Sequence, residues 1–501
     1  MIGDVTFIKG KGGLGRPLPG TDYVSALLFY TNILPSGFLT TDRIKTVFSV
    51  DDAKTLGILN TNLGETKSTG TITSTGAGVV GDSILIQVLT DLGLVTLGTA
   101  LVPTSPTTTL NAAAIVAAIN AGTLTHGFTA TNAAAVVTVT APAGSGVGAN
   151  TFTFTITVTG TATNSNAAFT GGVFSEMDIL AYHVSEFFII QPQGKLYIGI
   201  YPTSDSAIFA SIPLMQTFAN GEIKQMGIYQ KTNAFATSQV TTIQSILNPL
   251  EANHMPISSV LYQADWSGTA DVTAINTDVT ALTAKNVTVL LGQDGAGLGG
   301  KIWRATKKSI GSVGTSLGAV ALASVNESIR WIAKFNIATS EYDTLAFANG
   351  QLYSAVSYGA ITNLDTLGYV FLKKEINLVG SWHNKPHTAI TASSDYSTIY
   401  NNRTIDKAIR SLRTLLLPQL SSPVILTASG QLSEDTIAYY TSLGQQALDE
   451  MVRNKELSAY AVIINPAQNV LSTGVLTIAI QLVPIGVADS IVVNVSYVLS
   501  I

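Results

Sequence analysis

Four stretches of the chain have residue types and spacing that could do chemistry. The first is GQDGAGLGGKIW, Gly292 to Trp303, which follows the apolar run Val287–Leu291. Strand, glycine loop and lysine are the outline of a phosphate cradle. Gly295, Gly300 and Lys301 fit G-x4-G-K, but Ile302 stands where a magnesium-binding hydroxyl is needed. Gly295, Gly297 and Gly300 also satisfy G-x-G-x-x-G, as do Gly10, Gly12 and Gly15; Pro17 and Pro19 forbid a helix after the latter set. With 44 glycines in the chain, such matches arise by chance. The second stretch is GTSLG, Gly314 to Gly318, which has the spacing of a nucleophile elbow with Ser316 at its centre. Only the weak strand TKKSIGSV precedes it, and small residues opening a helix more often mark close packing. The third is WHNKPH, where Asn384 stands in place of the glutamate of H-E-x-x-H and Pro386 breaks the helix on which His383 and His387 would share a metal. The fourth is Arg403, Lys407, Arg410 and Arg413, a basic helix stripe opposite Ile405, Ala408, Ile409, Leu412, Leu415 and Leu416. It reads equally as a contact surface or as a solvated face. No catalytic, cofactor-binding or metal-binding set is assigned, and an enzyme is not expected.

The elements that would have to position such groups point elsewhere. The chain has 501 residues, 46 % hydrophobic and only 11 % charged, with a formal net charge of −5. A weakly acidic balance gives no reason to expect nucleic acid as partner. There is no cysteine, hence no disulfide frame and no thiolate metal site. No secretory leader and no membrane-spanning run is expected from the sequence. Surface that is neither charged nor lipid-facing is often surface that meets protein.

Composition divides the chain. Residues 1–20 read as an extended N-terminal arm and 21–65 as the start of a core. From Thr66 to Gly172 the only charged residues are Lys67, Asp82 and Asp91. There SILIQVLT, AVVTVTA and TFTFTITVTG alternate with period 2, as half-buried antiparallel strands do. One helical run, Leu110–Gly122, interrupts them, and 66–172 reads as an inserted, Thr-rich β-sandwich with a small helix. From Val173 to about 400 the pattern is mixed α/β. Leu196–Tyr201, Ser258–Asp265 and Val287–Gly292 read as buried strands, and Ser238–His254, Ala270–Asn286 and Ser316–Phe335 as helices. Residues 401–501 contribute helices Thr404–Leu417 and Ser433–Leu457, then strands Val475–Val483 and Ser490–Ile501. The fold class is therefore an α/β core with an inserted all-β domain and terminal β-arms.

The last strand places Ile491, Val493, Val495, Tyr497, Leu499 and Ile501 on one face. An amphipathic strand at the end of a chain must pair with something. The N-terminal stretch Asp4–Lys9, with Val5 and Phe7, offers a second such strand on a Gly/Pro arm. Twenty extended residues reach roughly 60–70 Å. Arms of this kind suit strand exchange between subunits.

RTIDKAIRSLRTLLLPQLSSPV (Arg403–Val424), SVGTSLGAVALASVNESIRW (Ser312–Trp331) and the closing SIVVNVSYVLSI resemble the contractile tail sheath proteins of phages and related injection systems. The resemblance is clearest over the last third and extends to about Val173. It implies subunits that form hexameric rings stacked helically around an inner tube, with arms that add strands to neighbouring subunits. It also implies contraction that drives the tube through a target envelope without ATP. The partners implied are further copies of the chain, the inner tail tube protein, and baseplate and terminator proteins. The implied location is a virion tail or a bacterial injection particle. Within that picture, helix Ser433–Leu457 is expected to line the inner wall. Its buried stripe would be Ile437, Tyr440, Gly444, Ala447, Leu448 and Met451, leaving Gln446, Asp449, Glu450, Arg453 and Lys455 toward the tube. Helix Arg403–Leu417 is the second choice for that wall. The competing readings are a phage-type hydrolase and a surface-layer or adhesin chain.

Overall fold

The computed structural model describes residues 20–59, 61–338 and 341–497. Its central strand, Ser25–Tyr30, is buried throughout. Side chains alternate between two cores, with Ala26, Leu28 and Tyr30 in one and Leu27 and Phe29 in the other. An unbroken apolar run of this kind is what a parallel strand covered on both faces requires. The sheet around it has six strands, in the order Val287–Val289, Ser259–Asp265, Gln225–Ala234, Ser25–Tyr30, Leu196–Tyr201, Ile44–Val47. Every pairing is parallel except the last. Helices Glu176–Ile190 and Val313–Leu322 cover one face; Ser211–Phe218 and Thr237–Ala252 cover the other. The mixed α/β class expected from the sequence is the class observed.

Thr66 and Val173 exchange backbone hydrogen bonds of 2.9 and 2.8 Å. Between them lie two antiparallel sheets. One has the order Thr129–Ala133, Val136–Thr140, Thr69–Gly76, Thr163–Thr170; the other Gly93–Leu101, Ser83–Thr90, Thr153–Thr159. Helix Thr108–Ala121, capped by the Thr107 hydroxyl, shares their core with Ile72, Ile84, Ile86, Val137 and Phe169. Along Thr153–Thr159 the threonines are exposed while Phe154, Ile156 and Val158 turn inward. Where this part meets the body, a Cβ on Gly148 would stand 2.3 Å from the Arg304 carbonyl oxygen, so only glycine permits the approach.

Three expected helices differ in the structure. Ala270–Asn286 forms two short 3-10 turns, Val272–Ala274 and Val279–Leu282. The cause is local: Asp271 and Asp278 accept from the amides of Thr273 and Thr280, which closes single turns in place of a helix. The helix expected over Ser316–Phe335 runs only over Val313–Leu322. There the chain turns extended at Ala323, and the Ser324 amide donates to the Glu327 carboxylate. The helix expected to reach Leu457 ends at Arg453, where Lys455 takes a left-handed conformation (φ 59°) and a strand, Leu457–Ile463, begins.

Candidate functional site

The glycine loop is filled by the chain's own carboxylates. The strand Gly292–Asp294 leads into helix Leu298–Thr306. Asp294, fully buried, accepts from the amides of Gly297 (3.1 Å), Gly300 (3.0 Å) and Tyr342 (3.3 Å). Glu341 accepts from the Leu298 amide. These are the donors a phosphate would need at a helix N-terminus, and they are occupied. A Cβ on Gly300 would lie 2.5 Å from the Gly295 carbonyl, so the glycines serve close packing. Lys301 is exposed.

Ser316 and His383 come together although 67 residues separate them, with Oγ and Nε2 3.0 Å apart. The sequence did not anticipate this meeting. Both residues have 0 % exposure, so substrate has no path to the hydroxyl. Burial also lowers the imidazole to about 4, which makes it a poor base near neutrality. Ser316 lies inside a helix and not at a strand-to-helix turn. Gly314 and Gly318 let that helix press against Glu176–Ile190; Cβ atoms there would meet the His183 oxygen at 2.3 Å and the Phe187 oxygen at 2.9 Å. His387 does not join His383; its Nε2 lies 3.4 Å from the Asp365 carboxylate.

The basic stripe is an internal junction, which corrects both surface readings for three of its four members. Helix Ile399–Leu416 seats itself by a polar edge, with Asn402, Arg403 and Asp406 buried. The Arg403 guanidinium donates to the carbonyls of Ala323 (3.1 Å), Ser324 (3.2 Å) and Asp22 (3.2 Å). Lys407 meets the Asp22 carboxylate at 2.9 Å and Glu456 at 2.6 Å, and Arg410 meets Asp22 at 2.5 Å. Burial lowers Arg403 to about 10. Burial pushes the Asp22 carboxyl up, but Lys407 and Arg410 outweigh it and hold the group below its ordinary value. Arg413 alone of the four is exposed. On the face expected to be packed, Ile409 is exposed instead. Asp22 and Glu456 were not singled out from the sequence; the spacing of Arg403, Lys407 and Arg410 on one helix face was the available signal.

Within the C-terminal unit several large apolar side chains are exposed, Leu420, Ile425, Leu471 and Val475 among them. Its own core is small: Ala408, Ala447, Leu448, Met451 and Leu457. Helix Glu434–Arg453, capped by Ser433, rests on a two-stranded antiparallel hairpin, Leu457–Ile463 with Ala479–Pro484. A Cβ on Gly444 would lie 2.9 Å from Val462, so helix and hairpin are in close contact. The first strand of the hairpin was missed, although LSAYAVI carries a strand-forming run. Among the described residues neither strand has a second neighbour. A groove of about 650 Å³ opens beside it, lined by Leu416, Leu420, Val424, Leu426, Tyr440 and Leu476, among others. Beyond Asp489, which is held by Lys385 at 2.9 Å, Ile491–Tyr497 belongs to no strand. Ile491, Val493, Val495 and Tyr497 are 73–108 % exposed. Val492 is as exposed as its neighbours, so among the described residues the expected two-faced pattern is not expressed. Val5, Phe7 and Leu499 lie outside the described residues. The stripe Tyr440, Gly444, Ala447, Leu448 and Met451 is buried, Ile437 is half-buried, and Gln446, Asp449, Glu450, Arg453 and Lys455 are exposed. Among the described residues no group of three metal-ligating side chains converges, and no helix is long and apolar enough to cross a membrane.

The family described as DUF2586, C-terminal domain, matches residues 395–501, beginning just before helix Ile399–Leu416. No curated protein matches the sequence. Among solved structures, the chain is similar to the helical sheath of the anti-feeding prophage in its contracted state, at 12 % identity and TM-score 0.49, covering 98 % of each chain. It is also similar to the contracted sheath of the extracellular contractile injection system PVC, at 13 % identity and TM-score 0.42, covering 64 % of this chain and 80 % of that one. A sheath tail protein from Listeria innocua is similar at 12 % identity and TM-score 0.38, covering 94 % of this chain and 96 % of that one.

Proposed function

We propose that the chain is the structural subunit of a contractile tail sheath. It polymerises as stacked hexameric rings around an inner tube and contracts to drive that tube through a target envelope. One observation carries the reading beside the sequence resemblance: the C-terminal unit leaves the apolar segment Ile491–Tyr497 in water and, among the described residues, a hairpin whose strands have no second neighbour. Exposed strand-forming segments and open edges are liabilities unless another chain covers them. Pairing between copies removes both at once.

In this reading Val5, Phe7, Ile491, Val493, Val495, Tyr497 and Leu499 belong to the exchanged strands, and residues 66–172 form an outer decoration. The exposed Gln446, Asp449, Glu450, Arg453 and Lys455 face the tube. A sheath must release its tube, so weak, salt-sensitive ion pairs of about 0–1 kcal/mol each suit that contact. The chain does structural work and catalyses nothing; its partners are its own copies, the tube protein, and baseplate and terminator proteins. Its place is a virion tail or an injection particle.

The test is electron microscopy of the purified protein in negative stain. The full chain should form rings or tubes, while deletion of residues 1–18 or of Ser490–Ile501 should leave folded subunits that form no long tubes. Full chains that remain strict monomers at every concentration would defeat the proposal. Reversing the charges of Asp449 and Glu450 together should reduce co-assembly with the tube protein at low salt and leave the circular dichroism spectrum unchanged.

A further inference from the structure

The junction at Asp22 joins five segments that are remote in sequence. Asp22 lies three residues before the central strand Ser25–Tyr30. Both its ends are held: the carboxylate by Lys407 and Arg410, the carbonyl by Arg403 at 3.2 Å and Gln225 at 3.2 Å. Lys407 also holds Glu456, the residue before the hairpin strand Leu457–Ile463. Arg403 also holds the two carbonyls, Ala323 and Ser324, that follow helix Val313–Leu322. Lys407 therefore bridges the start of the body to the start of the hairpin through one ammonium group.

We infer that this cluster is a clasp through which the start of the central strand and the C-terminal hairpin move as one. Three features support this. Arg403, Lys407 and Arg410 project from one face of one helix, so they shift together. Arg403 is buried with carbonyls around it and the Asp22 carboxylate nearby, so withdrawing Asp22 strands a charge in the interior. Glu456 is buried and finds its ion-pair partner in Lys407. The inference does not depend on the sheath reading. If that reading holds, the clasp is how strain on one arm reaches the neighbouring strand-pairing edge.

Hydrogen–deuterium exchange on the full chain tests it, with no polymer needed. Asp22→Asn should raise exchange about tenfold both at residues 23–26 and at 457–463, as expected for loss of one partly buried charge pair. The sheet strand 259–265 should not change, and Asp22→Glu should restore the native rates. Faster exchange at 23–26 alone would overturn the coupling, as would no change at either site. Should Asp22→Asn fail to fold, the native chain at 1 M and 0.05 M NaCl provides the same readout. High salt must then accelerate both segments together, and a response of one without the other, or of neither, overturns the clasp. Such a failure alongside normal tubes would leave the proposed function standing.

Discussion

Glu186 is 3 % exposed, and its carboxylate has one hydroxyl partner, Thr315 at 3.1 Å. Thr315 in turn bonds Tyr342 (2.9 Å), which accepts from Tyr182 (2.9 Å). Among the described residues no cation pairs with the carboxylate. Burial raises it to about 7, and the neighbouring Glu341 and Asp294 push the same way. The folded chain thus holds this proton more tightly than the unfolded chain, whose carboxyl titrates near 4.5. Stability from this group is fully present below the unfolded value and is lost as pH rises toward about 7. The loss is roughly 2–3 kcal/mol. Glu186→Gln lacks that slope, so it should gain on the native chain between pH 5 and pH 8. Urea midpoints at the two pH values measure the gain; an unchanged difference would refute the protonated state.

At the scale of elements, the contact between helices Glu176–Ile190 and Val313–Leu322 depends on absent side chains. A Cβ at Gly314 would stand 2.3 Å from the His183 oxygen and 2.7 Å from its Cα. Backbone cannot yield as a flexible side chain can. Gly314→Val should therefore cost roughly 2–3 kcal/mol by forcing the helices apart. Gly359, exposed on helix Tyr358–Thr366 with no atom within 4 Å of its added Cβ, is the control. Gly359→Ala should stabilise by about 0.5 kcal/mol. Denaturant unfolding of both variants checks the pair. Equal effects would mean that helix propensity and not packing governs the first site. The GTSLG spacing that imitates a nucleophile elbow is thus a requirement of helix contact.

At the scale of the molecule, the chain enters and leaves residues 66–172 at a paired neck, Thr66 with Val173. The two sheets and helix between them close on a core of their own. Their contacts with the body run through Gly148 against Arg304, an ion pair of Asp91 with Lys307 (3.6 Å) and the Glu65 carboxylate accepting from the Gly144 and Gly146 amides. Gly146 also packs against Phe174, so the contacts are partly polar and partly apolar. Replacing Thr66–Gly172 by a short Gly/Ser bridge should leave a cooperatively folded body, and the excised segment should fold alone with a strand-rich spectrum. Thermal unfolding followed by circular dichroism tests both halves; loss of the transition in the body would make the segment integral to it.

The sequence by itself determined the elements whose signal is local. Leu196–Tyr201 and Ser259–Asp265 are strands because unbroken apolar runs have no other stable place, and Thr153–Thr159 is one because its alternation matches the pleat. Ser433 marked the helix start through the short reach of its own side chain. The helix expected over Ala270–Asn286 failed because two aspartate caps, each acting over two residues, outweighed an apolar spacing that suggested more. Tertiary structure alone decided what depends on residues far apart in the chain. Nothing near Arg403 announces Asp22, 381 residues away, so the basic stripe could not be told from a solvated face. Nothing near Leu298 announces that Glu341, 43 residues away, fills an amide a phosphate would take. The edge of the hairpin and the apolar tail are legible as strand-forming residues, but that no other described residue covers them is a property of packing. A charge, an amide or an apolar edge acquires its role from what the fold sets against it.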